Sequence, residues 1–126
     1  MINNIKKIKK KIKNIKNIYF FFIKIGLQKK KFLSDFYLLK NCIIKTWIKI
    51  CINKKIFLFG YSNSLFISGI IKIISKIINN NKKKNIKIFL KFNFLKILRI
   101  EKKITNFKLE SFKNIVNHIF NFINYN

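Results

Sequence analysis

Hydrophobic positions near the start of the chain recur every three or four residues, with lysines in most of the positions between them. A stripe of this kind is typical of an amphipathic helix. Its members are Ile5, Ile8, Ile12, Ile15, Tyr19 and Phe22. The pattern therefore predicts a basic helix over residues 1–26, and Gly26 is a candidate for its C-terminal cap.

A second helix is predicted through FYLLKNCIIKTWIKICI, at residues 36–52, because Ser34 or Asp35 can cap its N-terminus. One face of that helix would carry Leu39, Ile43, Trp47 and Ile50. No Pro-rich or Gly/Ser-rich linker follows it. We therefore interpret residues 1–54 as a basic, mostly helical N-terminal extension that packs on the domain formed by residues 55–126.

The pattern changes at residue 55. KIFLF, at residues 55–59, is a short apolar run that ends at Gly60, which predicts a buried central strand. A helix capped by Ser62 or Ser64 follows. Isoleucines recur along it at helical spacing, namely Ile67, Ile70, Ile71, Ile74, Ile77 and Ile78.

Strands and loops are predicted for the next thirty or so residues. Residues 79–84, NNNKKK, are polar and predict a loop, whereas residues 85–92, NIKIFLKF, alternate as a strand does. FLKILRI would be its partner strand, and FKLE at residues 107–110 a further short strand.

Ser111 begins the final predicted helix, whose apolar stripe is Phe112, Ile115, Val116, Ile119, Phe120 and Ile123. The order is thus strand, helix, three strands and a helix. It predicts a two-layer α+β sandwich with both helices on one face of the sheet.

Composition adds a strong charge asymmetry. The 126 residues include 29 basic and 3 acidic side chains, for a net charge of +26. The wealth of Lys, Ile, Asn and Phe and the lack of Ala and Pro are typical of an AT-rich genome. Codons for Asp and Glu are as compatible with an AT-rich genome as those for Asn and Lys. The genome therefore does not explain why basic residues outnumber acidic ones so strongly. A chain with this charge favours a dense polyanion as its partner, and RNA is the favoured one.

A membrane is the competing partner. No run approaches the roughly 18 consecutive apolar residues that a spanning helix needs, so no integral span is predicted. Interfacial binding by a basic amphipathic helix stays open.

Groups for catalysis are scarce. The acids Asp35, Glu101 and Glu110 are scattered, and His118 is interpreted as a helix-surface or interface residue. Cys42 and Cys51 do not have the spacing of a zinc motif and are interpreted as reduced, buried thiols. We therefore predict no catalytic residue, no metal site, no cofactor and no small-molecule substrate, and hence no enzyme.

Basic side chains interleaved with aromatic ones are the remaining functional signal, and they predict contacts with RNA phosphates. The candidate RNA-binding residues are Lys82, Lys83, Lys84, Lys87, Lys91, Lys96, Arg99, Lys102, Lys103, Lys108 and Lys113.

The segments KIFLFGYSNSLFISGIIKIISKI and KILRIEKKITNFKLESFKNIVNHIF resemble the ribosomal protein S ten family of the small-subunit head. Leu98 and Arg99 fit the end of a family strand, and Lys102 and Lys103 fit its basic loop pair. The resemblance implies a ferredoxin-like sandwich whose loop enters ribosomal RNA beside other head proteins. The family's Ser-Pro-His tip is missing after Arg99.

The resulting expectation is a structural protein of the small mitochondrial ribosomal subunit head, bound to ribosomal RNA and neighbouring head proteins. It would lie in the mitochondrial matrix, with another AT-rich organelle as the alternative location. Two other functions stay open: another organellar ribosomal protein of either subunit, or a peripheral accessory subunit of an organellar respiratory complex.

Overall fold

The computed structural model describes residues 2–13, 17–27, 33–40, 42–90 and 104–125. Five helices and two strands lie in these ranges. In chain order they are α1 (Ile2–Lys13), α2 (Ile18–Gly26), β1 (Thr46–Ile52), β2 (Ile56–Ser62), α3 (Leu65–Ile78), α4 (Lys83–Leu90) and α5 (Asn106–Tyr125). A single 3-10 turn, Asp35–Tyr37, precedes β1.

β1 and β2 form an antiparallel hairpin in which Thr46 lies opposite Ser62 and Ile52 lies opposite Ile56. The backbone N–H of Asn53 donates to the carbonyl of Lys55 over 3.1 Å in the connecting turn. At the open end, the hydroxyl groups of Thr46 and Ser62 are 3.0 Å apart and buried. Hydroxyls facing each other across the strands satisfy one another, so the hairpin carries polar groups into the interior at little cost.

Both outer edges of the hairpin are paired with irregular backbone. Leu38 forms a bridge to Trp47 on the β1 side, and Asn81 forms one to Ile56 on the β2 side. The Asn79 carboxamide extends the second contact by accepting from the Leu58 N–H at 2.7 Å. Asn80 between them has φ 64°, a left-handed conformation that Asn tolerates better than most residues. The turn after α3 therefore holds that helix to β2.

α3 lies at the centre of the molecule and is apolar on nearly every side. Its N-terminus is capped by Ser64, whose hydroxyl accepts from the Ile67 N–H at 3.3 Å. The helix packs on β2 on one side and on α2 on the other. A helix that is hydrophobic all round is stable only when it is buried, and α3 meets this requirement through four neighbouring elements.

Two glycines set the distance between α2 and α3. A Cβ atom on Gly69 would collide with the carbonyl of Phe22, and one on Gly26 with the carbonyl of Leu65. Glycine is required at both positions because the two helix backbones touch. Gly26 was predicted as a helix cap; α2 does end there, but the structure gives this residue a packing role.

α5 closes the core with the predicted stripe. Phe112, Ile115, Ile119 and Ile123 are buried, and Val116 packs against them. The helix starts at Asn106 rather than Ser111. The strand predicted at residues 107–110 was therefore wrong, because those residues form the first turns of the helix.

The helix predicted at residues 36–52 was also wrong. Its second part is β1, and Ile43, which was predicted to share one helix face with Leu39, Trp47 and Ile50, is 85% exposed. Isoleucine is so frequent here that apolar residues fall at helical and at strand spacing in the same segment. Pairing with β2 decided between the two periods, since β-branched residues fit a pleated, half-buried surface.

The strand predicted at residues 85–92 was wrong for the same reason. Residues up to Leu90 form α4, with Ile86 buried and Ile88 51% exposed. β2 was correctly predicted as a strand, but it is buried on one face only, since Phe57 and Phe59 are exposed. The partner strand predicted at residues 94–100 lies outside the described residues.

The chain is an α+β protein, as predicted. The described residues contain a two-stranded sheet, and the ferredoxin-like arrangement of four strands is not found among them. The division at residues 54 and 55 falls in the hairpin turn and stays a prediction. Across the described ranges, no helix combines the length and apolar character needed to cross a bilayer.

Candidate functional site

Cys42 lies in the loop that leads into β1. The base of this loop is closed by the Leu39 N–H, which donates to the Thr46 carbonyl at 2.9 Å, and inside it the Thr46 hydroxyl donates to the Ile44 carbonyl at 3.0 Å. The thiol is free and partly buried. Burial raises the pKa of the Cys42 thiol, and a hydrogen bond with the Thr46 side chain acts in the opposite direction.

A cavity of about 340 Å³ separates this loop from α5. The loop contributes Leu39, Lys40 and Cys42 to its wall, and α5 contributes Asn114, Asn117, His118 and Asn121. Spacings of three, four and seven residues put the α5 side chains on one face of the helix. That face adjoins the buried stripe, so burial of the stripe fixes where the polar side chains stand.

His118 also lines a second, more apolar cavity of about 320 Å³, together with Tyr37, Leu38, Ile48 and Phe122 among others. The imidazole is half-buried between the two cavities. Burial lowers its pKa below the usual value of 6.5, because a charged ring is poorly solvated there. His118 is therefore a neutral imidazole at neutral pH, with one nitrogen able to accept a proton.

The described lining of the Cys42 cavity carries one cationic side chain, Lys40, and no carboxylate. Two of the three acids lie in the described ranges and have other partners. Asp35 accepts from the Trp47 indole N–H at 3.1 Å, and Glu110 lies 3.7 Å from Lys113 on the exposed side of α5. A negative charge formed on Cys42 thus meets no nearby anion among the described residues.

Cys51 has different surroundings, since it lies exposed on β1. The prediction of two buried thiols was therefore wrong: one thiol is exposed and the other borders a cavity. In the described part of the chain, no three His, Cys, Asp or Glu side chains gather in a way that could hold a metal ion. The chemistry available at Cys42 is that of a single thiol beside a neutral imidazole.

The structure places six of the candidate RNA-binding residues on or beside two helices. Lys82 precedes α4, Lys83, Lys84 and Lys87 lie in it, and Lys108 and Lys113 lie in α5. Lys108 packs inward, with its Nζ 4.3 Å from the Tyr19 ring centre and 4.2 Å from that of Phe66, and burial lowers its pKa. The other candidates, Lys91, Lys96, Arg99, Lys102 and Lys103, lie outside the described residues.

The Cys42 cavity was not predicted from the sequence, because the two cysteines were considered only as a zinc-binding pair or as buried structural thiols. A usable signal was present. Cys42 lies between Lys40 and Lys45, and a cysteine with basic neighbours is a candidate for reactivity. Its association with His118 could not be seen, because only the fold brings α5 against the loop.

A family model described as SufE, Fe-S metabolism associated domain, matches residues 2–122. No curated protein matches the chain significantly. The resemblance to ribosomal protein S ten was wrong, because the SufE match spans the same residues and also the first 54, which that resemblance did not cover.

The predicted ribosomal function and its translation-related assignments are overturned with it, as are the ribosomal RNA and head-protein partners. The two alternatives, another ribosomal protein and a respiratory-complex subunit, do not agree with the match either. The length of the match, from the first helix to the last, decides the family. The chain belongs to the SufE family of Fe-S metabolism associated domains.

Proposed function

We propose that this protein carries sulfur for Fe–S cluster assembly, and that it accepts the sulfur on Cys42 from a cysteine desulfurase. Membership of the SufE family supports sulfur transfer and these partners. The observation that carries the residue assignment is the position of Cys42, a half-buried thiol at the wall of a polar cavity. In this role the protein is a carrier and an accessory to the desulfurase, without a small-molecule substrate of its own.

The transfer is a thiol exchange on a persulfide. The donor is a desulfurase cysteine that bears an extra, terminal sulfur atom. The Cys42 thiolate attacks that sulfur, a new S–S bond forms, and the old one breaks. The electron pair of the broken bond leaves with the donor cysteine as its thiolate, and Cys42 now bears the persulfide. Attack by an acceptor thiol of the assembly machinery repeats the exchange and frees Cys42.

The cavity favours Cys42 over Cys51 as the acceptor. A persulfide on the exposed Cys51 would be open to any thiol in solution, whereas one on Cys42 has a partly enclosed space of about 340 Å³ beside it. The space is larger than one sulfur atom requires. It therefore leaves room for the sulfur to turn inward between transfers and outward when a partner cysteine arrives.

The net charge of +26 gains a different meaning in this role. A strongly basic surface speeds association with a partner that is acidic near its reactive cysteine. The charge that favoured RNA on sequence grounds is equally suited to an acidic docking surface on the desulfurase. Location in a mitochondrion or another AT-rich organelle remains a prediction.

The test is to incubate the protein with a cysteine desulfurase and free cysteine and to locate the added sulfur by mass spectrometry of alkylated peptides. Wild-type protein and Cys51→Ser are expected to gain one sulfur on Cys42. Cys42→Ser is expected to gain none and to stop accelerating the desulfurase. Cys51→Ser is a matched control because it removes the other thiol by the same substitution. Sulfur found on Cys51, or transfer that survives Cys42→Ser, would contradict the assignment.

A further inference from the structure

The position of Cys42 creates a chemical difficulty, if Cys42 accepts sulfur as proposed above. Only the thiolate form of cysteine attacks a persulfide efficiently. Partial burial favours the neutral thiol instead, and the Thr46 hydrogen bond opposes this effect without cancelling it. At neutral pH the resting side chain is thus a thiol, and its proton must move to another group during the transfer.

The described wall of the cavity offers one group that can take that proton. A lysine ammonium such as that of Lys40 only donates hydrogen bonds, and the carboxamides of Asn114, Asn117 and Asn121 are not basic. His118 is a neutral imidazole because of its burial. The two acids in the described ranges do not line this cavity and are engaged elsewhere, Asp35 with Trp47 and Glu110 with Lys113.

Among the described residues, the second cavity that His118 borders also contains no group that would keep the imidazole from accepting the Cys42 proton. The second cavity presents apolar side chains and the Tyr37 phenol, over whose ring Lys49 lies at 5.4 Å. The Phe122 ring centre lies 6.5 Å from that of His118. Ile115 and Ile119 are fully buried on the same helix. The imidazole is therefore carried by a rigid element and borders the same space as the thiol.

We propose that His118 accepts the proton of the Cys42 thiol when Cys42 attacks the terminal sulfur of the donor persulfide. The proton leaves Cys42 Sγ for a ring nitrogen of His118, directly or through water in the cavity. The sulfur of Cys42 forms the new S–S bond, and the donor cysteine departs with the electron pair of the old one. The imidazolium then releases its proton to that departing thiolate or to solvent, which returns His118 to its neutral form.

The experiment uses the full chain with Cys51→Ser, so that Cys42 is the single thiol. A small-molecule persulfide, glutathione persulfide, serves as the donor, and the rate of sulfur gain is followed over roughly pH 6 to pH 10, from neutral to alkaline conditions. Adding His118→Gln is expected to lower the rate near neutral pH about 100-fold, the low end for a lost general base. The difference should disappear at alkaline pH, where hydroxide forms the thiolate without help.

A rescue experiment separates proton transfer from structure. His118→Ala leaves space in the cavity, and added imidazole is expected to restore part of the rate in this variant and not in His118→Gln. Asn124→Ala is the control because it removes an exposed carboxamide from the same helix, outside both cavities, and it should keep the parent rate and pH profile. Equal rates for the parent and His118→Gln near neutral pH would overturn the proposal. So would a loss that persists at alkaline pH or is insensitive to imidazole.

Alkylation of Cys42 by iodoacetamide distinguishes this proposal from the sulfur-carrier function. It needs deprotonation of the same thiol and no sulfur donor. If His118→Gln slows alkylation near neutral pH while the parent takes up no sulfur at any pH, the carrier function fails and the role of His118 in deprotonation stands. If sulfur uptake is normal and both reactions ignore the substitution, the role of His118 fails alone.

Discussion

The contact between α2 and α3 and the cavity between Cys42 and α5 are opposites within one small protein. At the first, two backbones touch so closely that neither Gly26 nor Gly69 tolerates a methyl group. At the second, about 340 Å³ stays open and is lined mostly by polar side chains. The difference shows how a small chain separates its tasks. Tight apolar packing fixes the helices, and the polar side chains of the site stand on faces that the packing leaves free.

The largest expected effect on stability comes from Gly69→Ala, which disrupts the close contact between α2 and α3. The new Cβ would collide with the Phe22 carbonyl, so the helices must separate. Overpacking of a core costs about 1–3 kcal/mol and sometimes more, and we expect a loss of about 3 kcal/mol because the obstacle is backbone. Urea denaturation measures the loss.

Ser75→Ala is the control on the same helix. The Ser75 hydroxyl donates to the Ile71 carbonyl of its own helix at 2.9 Å, so its removal should change stability by less than about 0.5 kcal/mol. A Gly69→Ala protein as stable as this control would mean that the two helices do not meet at their backbones.

A smaller effect is expected from Thr46→Val, which touches both the core and the site. The hydroxyl is buried against that of Ser62, and its loss should cost about 1–2 kcal/mol. The same change removes the bond that lowers the pKa of the Cys42 thiol. That pKa should rise further, so iodoacetamide should alkylate Cys42 more slowly at neutral pH.

Cys51 supplies the internal control for Thr46→Val because it is exposed on the same strand. Its alkylation rate should not change. If both cysteines slowed together, the cause would be a change in the whole hairpin, and the specific bond between Thr46 and Cys42 would be refuted.

The smallest expected effect is a dependence of stability on pH, which arises from His118 at the Cys42 cavity. His118 is the single histidine, and its folded pKa lies below the unfolded value near 6.5. Above about pH 6.5 the His118 imidazole is mostly neutral in both the folded and the unfolded chain. As the pH falls below it, the unfolded chain binds a proton that the folded chain resists, so stability should decrease.

Thermal unfolding at a series of pH values between about 5 and 7 measures this, since carboxyl groups with ordinary values near 4 contribute little in that range. His118→Gln should flatten the profile. An equally steep profile in the variant would show that some other group titrates, and would remove the evidence that His118 is neutral through burial.

Parts of this structure follow from the sequence because their apolar pattern fits one period only. The six isoleucines predicted for the buried face of α3 are buried, and Ser64 caps the helix as expected. In α5 the predicted stripe is confirmed except at Phe120, which is not part of the core. β1 and α4 were missed because isoleucines there satisfy helical and strand spacing equally. The choice depends on tertiary partners, β2 for the first and α5 for the second, and no local pattern encodes those partners.

The site was harder to predict than the fold. Cys42 and His118 are far apart in the sequence, and neither belongs to a motif with fixed spacing. The lysine pairs that suggested a ribosomal protein are frequent by composition in a chain with 29 basic residues, so they carry little information about family. A match along the whole chain uses many weak positions at once, which is why it succeeds where short motifs do not.

The bridges at the two edges of the hairpin affect the tendency of the protein to aggregate at high concentration. Strands rich in isoleucine and phenylalanine tend to recruit strands from other molecules through unpaired edge groups, which is how fibrils begin. On the β2 edge three N–H groups are occupied, since that of Ile56 donates to Asn81, that of Leu58 to Asn79 and that of Ser62 to Ser68. A carrier must approach other proteins repeatedly and leave again. Three side-chain and backbone contacts on one strand allow this strongly apolar hairpin to contact its partners without pairing edge to edge with their strands.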